Sequence, residues 1–276
     1  MAGDRVAPPL QAVVLDWAGT VLDFGSLAPM GAFVELFARE GVAISIAEAR
    51  APMGMAKWDH IHALGTQPRI AAEWQRVKGQ AFGAVDCDRL YEIFTPMNAA
   101  SVRQHAALVP GALETIAALR ARGLKIGSTT GYNRPIMEVL APIAEALGYA
   151  PDNLVCAGDM ASARPGPLMM VRTMSDLQVW PPAALLKVDD TPVGLQEGRA
   201  VGAWCVGVAV SGNVMGLSLD EWQALDEAEQ ARRREAARAE LLAGGAHLVV
   251  DGLWELLPAL QEIERRIAAG ERPDAG

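Results

Sequence analysis

Short, unbroken apolar runs that stop abruptly at a small polar or acidic residue recur along this chain, and they restrict its fold more than any other feature. Ala12–Leu15 ends at Asp16, residues 124–127 run into Ser128, and residues 185–188 run into Asp189. Residues 153–156, 204–208 and 247–250 are of the same kind. A strand covered on both faces loses the alternation of a half-exposed strand, so these runs suit a parallel sheet with helices on either side. Between them, residues 110–122, 134–147, 167–177 and 193–200 carry helical periodicity. Strand and helix alternating at this spacing predict an α/β fold, a doubly wound parallel sheet with right-handed crossovers.

Residues 26–106 break that rhythm. They hold helical patterns at 28–40, 46–51, 57–64, 70–80 and from Asp88 onward, with no clear strand. Ser45 and Glu48 fit a capping box, in which each side chain satisfies the other's first-turn amide. The block reads as a helical cap inserted after the first strand. That gives a core of residues 1–24 and 107–276 and a cap of residues 25–106. Ser218 and Glu221 form a second such box and predict one long charged helix through Leu242, its Arg and Glu residues facing solvent.

Composition narrows the partners. The 276 residues carry a formal net charge of -9, and no cluster of Lys and Arg stands out from the acidic background. Nucleic acid and anionic membranes are therefore not expected as partners, whereas a small anion in a locally basic pocket is compatible. Cys87, Cys156 and Cys205 lie far apart, which reads as buried thiols in a reducing compartment. No stretch approaches the ~20 apolar residues of a membrane span, and the first ten residues lack an apolar signal region. The expectation is a soluble cytoplasmic protein.

In an open parallel sheet, ligands bind beyond the carboxyl ends of the strands, and this chain concentrates its short polar residues there. The first strand ends in Asp-Trp-Ala-Gly-Thr (16–20), the second in Ser-Thr-Thr-Gly-Tyr (128–132) and the fourth in Asp-Asp-Thr (189–191). A carboxylate, a set of hydroxyls and a carboxylate pair suit one chemistry. They can hold a divalent cation, grip a phosphoryl group and present a nucleophile to phosphorus. Mg²⁺ takes oxygen ligands of this mixed kind. Arg164, after the third strand, adds fixed positive charge for phosphate. Each piece alone has a plainer reading, since Asp caps helices and Ser-Thr-Thr-Gly makes turns. Their occurrence together, in chain order and at strand ends, points to a site.

With those residues in place, the segments Val-Val-Leu-Asp-Trp-Ala-Gly-Thr (13–20), Ser-Thr-Thr-Gly-Tyr (128–132) and Lys-Val-Asp-Asp-Thr (187–191) resemble the first, second and fourth motifs of the haloacid dehalogenase superfamily. The block from Arg50 through Lys57 to His60 is similar to the cap signature of one family within it, the phosphonoacetaldehyde hydrolases, as are residues 68–70, 123–132 and 198–207. The resemblance covers nearly the whole chain. It implies Asp16 as nucleophile and Lys57 as an imine-forming amine. It also implies Asp16, the Ala18 carbonyl and Asp190 as Mg²⁺ ligands. Thr130 and Arg164 would contact phosphate, and Met53, His60 and Tyr132 would line the pocket. A small-molecule phosphonate would be the substrate, and a homodimer joined through the cap is further implied.

Three departures qualify this. Superfamily phosphatases usually carry an aspartate two residues after the nucleophile, to protonate an alkoxide leaving group. Ala18 stands there, so ester hydrolysis should be poor. Many members place a second acidic residue four positions after Asp190, where this chain has Gly194, leaving Asp189 or water to complete the metal shell. Arg164 stands where many relatives use lysine.

A carbanion leaves phosphorus far less readily than a protonated ester oxygen, and a protonated imine on a lysine supplies the missing electron sink. Lys57 must be partly neutral to attack an aldehyde, so cap closure is expected to lower its pKa. His60 lies three residues on, on the same helical face, where it either relays protons or positions water, or else packs. His62 falls off that face. Trp58 and Trp74 are core or dimer-contact candidates, and Met53 and Met55 line a pocket or pack. Two rivals stay open, a capped phosphatase acting on a small phosphate ester and a non-catalytic binding module.

Overall fold

In the computed structural model, which describes residues 9–273, Ala12–Leu15 forms β1, and five helices follow it. These are α1 (Ala28–Arg39), α2 (Ile46–Arg50), α3 (Lys57–Thr66), α4 (Pro68–Lys78) and α5 (Ala84–Val102). Then come α6 (Ala112–Ala121), β2 (Lys125–Asn133), α7 (Arg134–Ala146), β3 (Val155–Ala157) and α8 (Leu168–Leu177). The chain continues through β4 (Leu185–Asp189), α9 (Pro192–Val201), β5 (Trp204–Val208), α10 (Leu219–Gln223) and α11 (Glu227–Ala243). It ends with β6 (Leu248–Val250) and α12 (Leu256–Ala268). Residues 1–8, which hold most of the N-terminal stretch read for a signal region, lie outside the described residues.

The six strands form one parallel sheet in the order β3-β2-β1-β4-β5-β6. Its central strand explains the unbroken apolar runs. Val13 and Leu15 join the layer that holds Ile126, Val188 and Val206, whereas Ala12 and Val14 join the opposite layer with Met170, Met174 and Leu185. Successive side chains point to opposite faces and both faces are buried, so both must be apolar.

Two expectations are corrected. The polar stretch Ser128–Tyr132, expected beyond the apolar run at the carboxyl end of the second strand, lies within it: β2 continues through Asn133, with its pairing to β3 shifting register between Thr130 and Asn133. The polar residues are tolerated inside a buried strand because distant groups satisfy them. Asn153 Oδ1 accepts from the Ser128 amide, and Glu197 accepts from the Thr129 hydroxyl. The predicted long helix from Ser218 to Leu242 is two helices. The Ser218 box starts α10, which stops at Gln223, and Asp226 then caps α11 by accepting from the Glu229 amide. The charged face of α11 is largely solvated, as in the exposed Arg232–Glu229 pair, but Arg234 lies over the Trp222 ring and pairs with Asp251.

The helices α1 to α5 pack on an aromatic and aliphatic centre of Phe33, Phe37, Ile61, Trp74 and Phe94, with Trp74 fully buried. Trp58 is half-buried, stacks on His62 and donates to Asp88. The Ser45 box is present as expected. Asp23 accepts from the amides of Leu27 and Ala28 at the start of α1, where the chain leaves the sheet. The chain returns beside its exit, with the Val109 amide donating to the Val21 carbonyl. All three cysteines are buried and free. No helix among the described residues is long and apolar enough to cross a membrane.

Candidate active site

The carboxyl ends of β1, β2 and β4 converge beneath the loop that precedes α3. A cavity there is lined by Asp16, Ala18, Met53, Lys57, Thr130, Tyr132, Arg164 and Asp190, with Ser26, Pro29, Gly54, Gly131 and Thr191 completing the wall. Eight of the nine site residues expected from sequence reach it. His60 does not. Its Nε2 donates to the Ala49 carbonyl at 2.8 Å and its ring stacks on Phe33, centroids 3.9 Å apart, so it packs behind the wall. Burial, then the neighbouring Lys57, hold its pKa well below the usual value, and it stays neutral.

Glycine allows the cap loop to sit this close. Gly54 has φ +93°, and a Cβ on it would overlap the Thr191 hydroxyl. A Cβ on Gly131 in β2 would come to 2.8 Å from the Met55 carbonyl oxygen. Any side chain at either position would lift the loop that carries Met53 and Lys57 off the sheet. Arg50, at the end of α2, adds a polar tie. It donates to the Gly25 carbonyl (2.9 Å), Asn213 Oδ1 (3.0 Å) and the Gly216 carbonyl (3.0 Å).

Asp16, Asp189 and Asp190 each bring a carboxylate oxygen to within 4.8 Å of the others, all buried. Burial, then the Asp189 charge, push the Asp16 carboxyl up to about 6, against the pull of Arg164 at 2.8 Å. Burial and the Asp16 charge drive Asp190 well above the usual carboxylate range. Burial would also raise Asp189, but Arg164 and Lys187 outweigh it and hold that carboxyl low. Three buried carboxylates that repel one another are a hard-oxygen donor set suited to a divalent cation such as Mg²⁺. Asp190 is held in place by the Asn213 amide, 2.7 Å from its Oδ2. Gly194 also finds its reason here, because a Cβ at that position would overlap the Asp189 carboxylate. Space that a side chain at 194 would take is already filled by Asp189.

Lys57 is the first residue of α3 and only 4 % exposed. Its Nζ has Met53 Sδ at 3.9 Å and the Tyr132 and Phe33 ring centres at 5.0 and 5.8 Å, with no carboxylate among the described residues at salt-bridge distance. Burial pushes its pKa down to about 8, the Asp16 charge opposing and Arg164 assisting. A helix N-terminus, where amide dipoles present positive charge, disfavours an ammonium further. A fraction of this amine is therefore neutral, and nucleophilic, near neutral pH. Tyr132 is buried with its hydroxyl unpartnered among the described residues, and burial keeps the phenol protonated. The Thr130 hydroxyl accepts from the Tyr132 amide at 3.1 Å.

Sequence reasoning missed a charged layer beside Asp16, made of Thr129, Lys187 and Glu197. Lys187 and Glu197 are both fully buried. Their signals were a lone cation inside the apolar run of β4 and a lone acid on the buried face of α9, beside Gly194, Leu195 and Gly198.

A model of haloacid dehalogenase-like hydrolases matches residues 10–202. A phosphonoacetaldehyde hydrolase of Paraburkholderia phytofirmans is 49% identical over 264 residues, covering 96% of this chain and 99% of the relative. One from Klebsiella pneumoniae is 48% identical over 266 residues, with 96% and 99% coverage. Among solved structures, a phosphonoacetaldehyde hydrolase-like protein of Oleispira antarctica superposes with a TM-score of 0.97 at 42% identity, covering 99% of each chain.

Proposed function

The chain belongs to the phosphonoacetaldehyde hydrolase family of haloacid dehalogenase-like hydrolases, and from that premise we propose how its residues divide the work. It hydrolyses the carbon–phosphorus bond of phosphonoacetaldehyde to acetaldehyde and phosphate. The observation that carries the mechanism is Lys57, a buried amine without a carboxylate partner among the described residues that faces the same cavity as Asp16.

Neutral Lys57 adds to the substrate aldehyde and expels water, leaving a protonated imine. An Asp16 oxygen attacks phosphorus, the carbon–phosphorus bond breaks, and its electron pair moves onto the imine to give an enamine. Protonation at carbon and hydrolysis return Lys57 and release acetaldehyde. A further water cleaves the aspartyl-phosphate, freeing phosphate and Asp16, so that one water is consumed overall. Arg164 and Thr130 grip the phosphoryl oxygens, and Met53 and Tyr132 confine the aldehyde, with the Tyr132 hydroxyl able to donate. Asp16, the Ala18 carbonyl and Asp190 would hold Mg²⁺, with Asp189 beside them. When bound, the cation neutralises phosphoryl charge and keeps Asp16 ionised.

Helices α1 to α5 act in this reading as a cap spanning residues 25–106, which must open to admit substrate. A homodimer through the cap would cover its exposed apolar side chains, Ile46 and Val85. Three buried free thiols suit the reducing cytoplasm. Ala18 speaks against an ester phosphatase, and the joint presence of Asp16, Lys57 and Asp190 against a binding module.

Phosphate and acetaldehyde release should appear together with Mg²⁺, stop on chelation and return with Mg²⁺. Phosphate esters should turn over at least ~100-fold more slowly, the scale of one missing general acid. Esters matching the phosphonate would favour the phosphatase, and full activity after exhaustive chelation would remove the metal from the mechanism.

A further inference from the structure

The steps above leave the charged layer beside Asp16 without a task. Glu197 Oε2 is approached by three donors, Thr129 Oγ1 at 2.8 Å, Arg164 Nε at 2.9 Å and Lys187 Nζ at 3.2 Å. Lys187 Nζ also donates to Thr129 Oγ1 at 2.7 Å and pairs with Asp189 Oδ2 at 3.1 Å. Arg164 belongs to neither helix nor strand, so the backbone alone fixes it poorly. Its Nη2 donates to the Thr129 carbonyl at 2.6 Å and approaches Asp16 Oδ1 at 2.8 Å, while its Nη1 makes no hydrogen bond among the described residues.

Stability does not account for this arrangement. A buried ion pair is often matched or bettered by apolar residues of the same volume, because desolvation offsets the Coulomb gain. Orientation does account for it. A guanidinium is rigid and planar, so holding Nε and Nη2 fixes the direction of Nη1 as well. Glu197 and Asp189 also share the guanidinium charge, which limits how firmly Arg164 can clamp the nucleophile. Without Glu197, the Nε edge would be free to rotate toward Asp16 and Asp189.

We infer that Glu197 is a positioning residue: it holds Arg164 by Nε so that Nη1 is presented to the phosphoryl group. The inference rests on the proposed function for the phosphoryl ligand, and its test reads phosphate binding apart from turnover. In the Mg²⁺-loaded full chain, inorganic phosphate affinity is measured by calorimetry, and thermal unfolding is followed in parallel. The paired change Glu197→Leu with Lys187→Met removes both charges together, so Glu197 is not stranded and the pair should unfold later than Lys187→Met alone. It should nevertheless bind phosphate about tenfold more weakly, the scale of one charge-assisted hydrogen bond. In an Arg164→Lys background the same pair should cost nothing further, because the group it positions is gone. Glu197→Gln, read through the same cycle, serves if the pair fails to fold. It keeps an acceptor for Nε and should lose less affinity than the pair when both fold. Wild-type affinity in these variants, or an equal loss in the Arg164→Lys background, would overturn the inference. Wild type that binds phosphate but releases no acetaldehyde would sink the functional reading alone. Wild type that binds no phosphate would sink both.

Discussion

Two lysines are buried near Asp16, one from the sheet and one from the helical insert, and their surroundings give them opposite characters. Lys187 is wholly enclosed by partners, with Asp189 at 3.1 Å, Glu197 at 3.2 Å and the Thr129 hydroxyl at 2.7 Å. Lys57 is nearly as buried but meets a thioether and two aromatic faces. Burial alone therefore does not make a lysine reactive. Lys187 has carboxylates and a hydroxyl to bond, whereas Lys57, denied them, has its pKa lowered by burial and is in part a neutral amine near neutral pH.

The sharpest way to break this contrast is Lys57→Arg. Charge is kept, but a guanidinium stays protonated at any working pH and cannot form an imine. Turnover should fall on the order of 10⁴-fold, as when a covalent group is removed. Borohydride added with substrate should inactivate wild type and leave a reduced adduct on Lys57, visible by peptide mass. An active arginine variant, or an adduct confined to another lysine, would return Lys57 to an ordinary structural role.

Stability should move in opposite directions at the two sites. Lys187→Met strands Asp189 and Glu197 without their cation and should destabilise the fold by about 3–5 kcal/mol. Lys57→Met should stabilise it instead. The folded pKa of about 8 lies below the ordinary 10.5, so between those values the unfolded chain binds more protons and stability rises with pH. Below pH 8 the full burden is present, up to about 3 kcal/mol. Denaturant unfolding at pH 7 and pH 10 should show the methionine variant more stable at the lower pH, its advantage shrinking at the higher. A variant less stable than wild type at pH 7 would mean that Lys57 is a satisfied charge.

A smaller effect sharpens the same point. The rate of borohydride trapping should climb about tenfold per pH unit below 8 and level off above it, as the neutral amine saturates. A flat profile from pH 6 to 9 would place the proton loss elsewhere. Smallest of all, Ser45→Ala should lower stability by about 1 kcal/mol through its lost cap and leave the trapping profile where it was, since Ser45 is exposed and does not line the cavity. A shifted profile would tie the reactivity of Lys57 to cap stability rather than to its pocket.

What the sequence determined by itself was whatever neighbouring residues settle among themselves. Ala12–Leu15 and the other apolar runs announced strands buried on both faces, and Ser45 with Glu48 announced a helix start. Asp16 and Asp190 could be placed at strand ends, because strand ends are where a parallel sheet opens to ligand. Lys57 was legible only through its resemblance to a family, since nothing in helical periodicity separates it from a surface lysine. Tertiary structure decided the rest, because a polar group's fate depends on partners far along the chain. β2 runs on through Ser128 and Thr129 because Asn153 and Glu197 satisfy them from 25 and 68 residues away. His60 shares a helical face with Lys57 yet packs behind the wall, since Ala49 and Phe33 claim its ring. Lys187 and Glu197 are single charges in apolar surroundings until the fold brings them within 3.2 Å. Local patterning fixes which face of an element is buried, but only packing decides which buried charges find partners and which are left reactive.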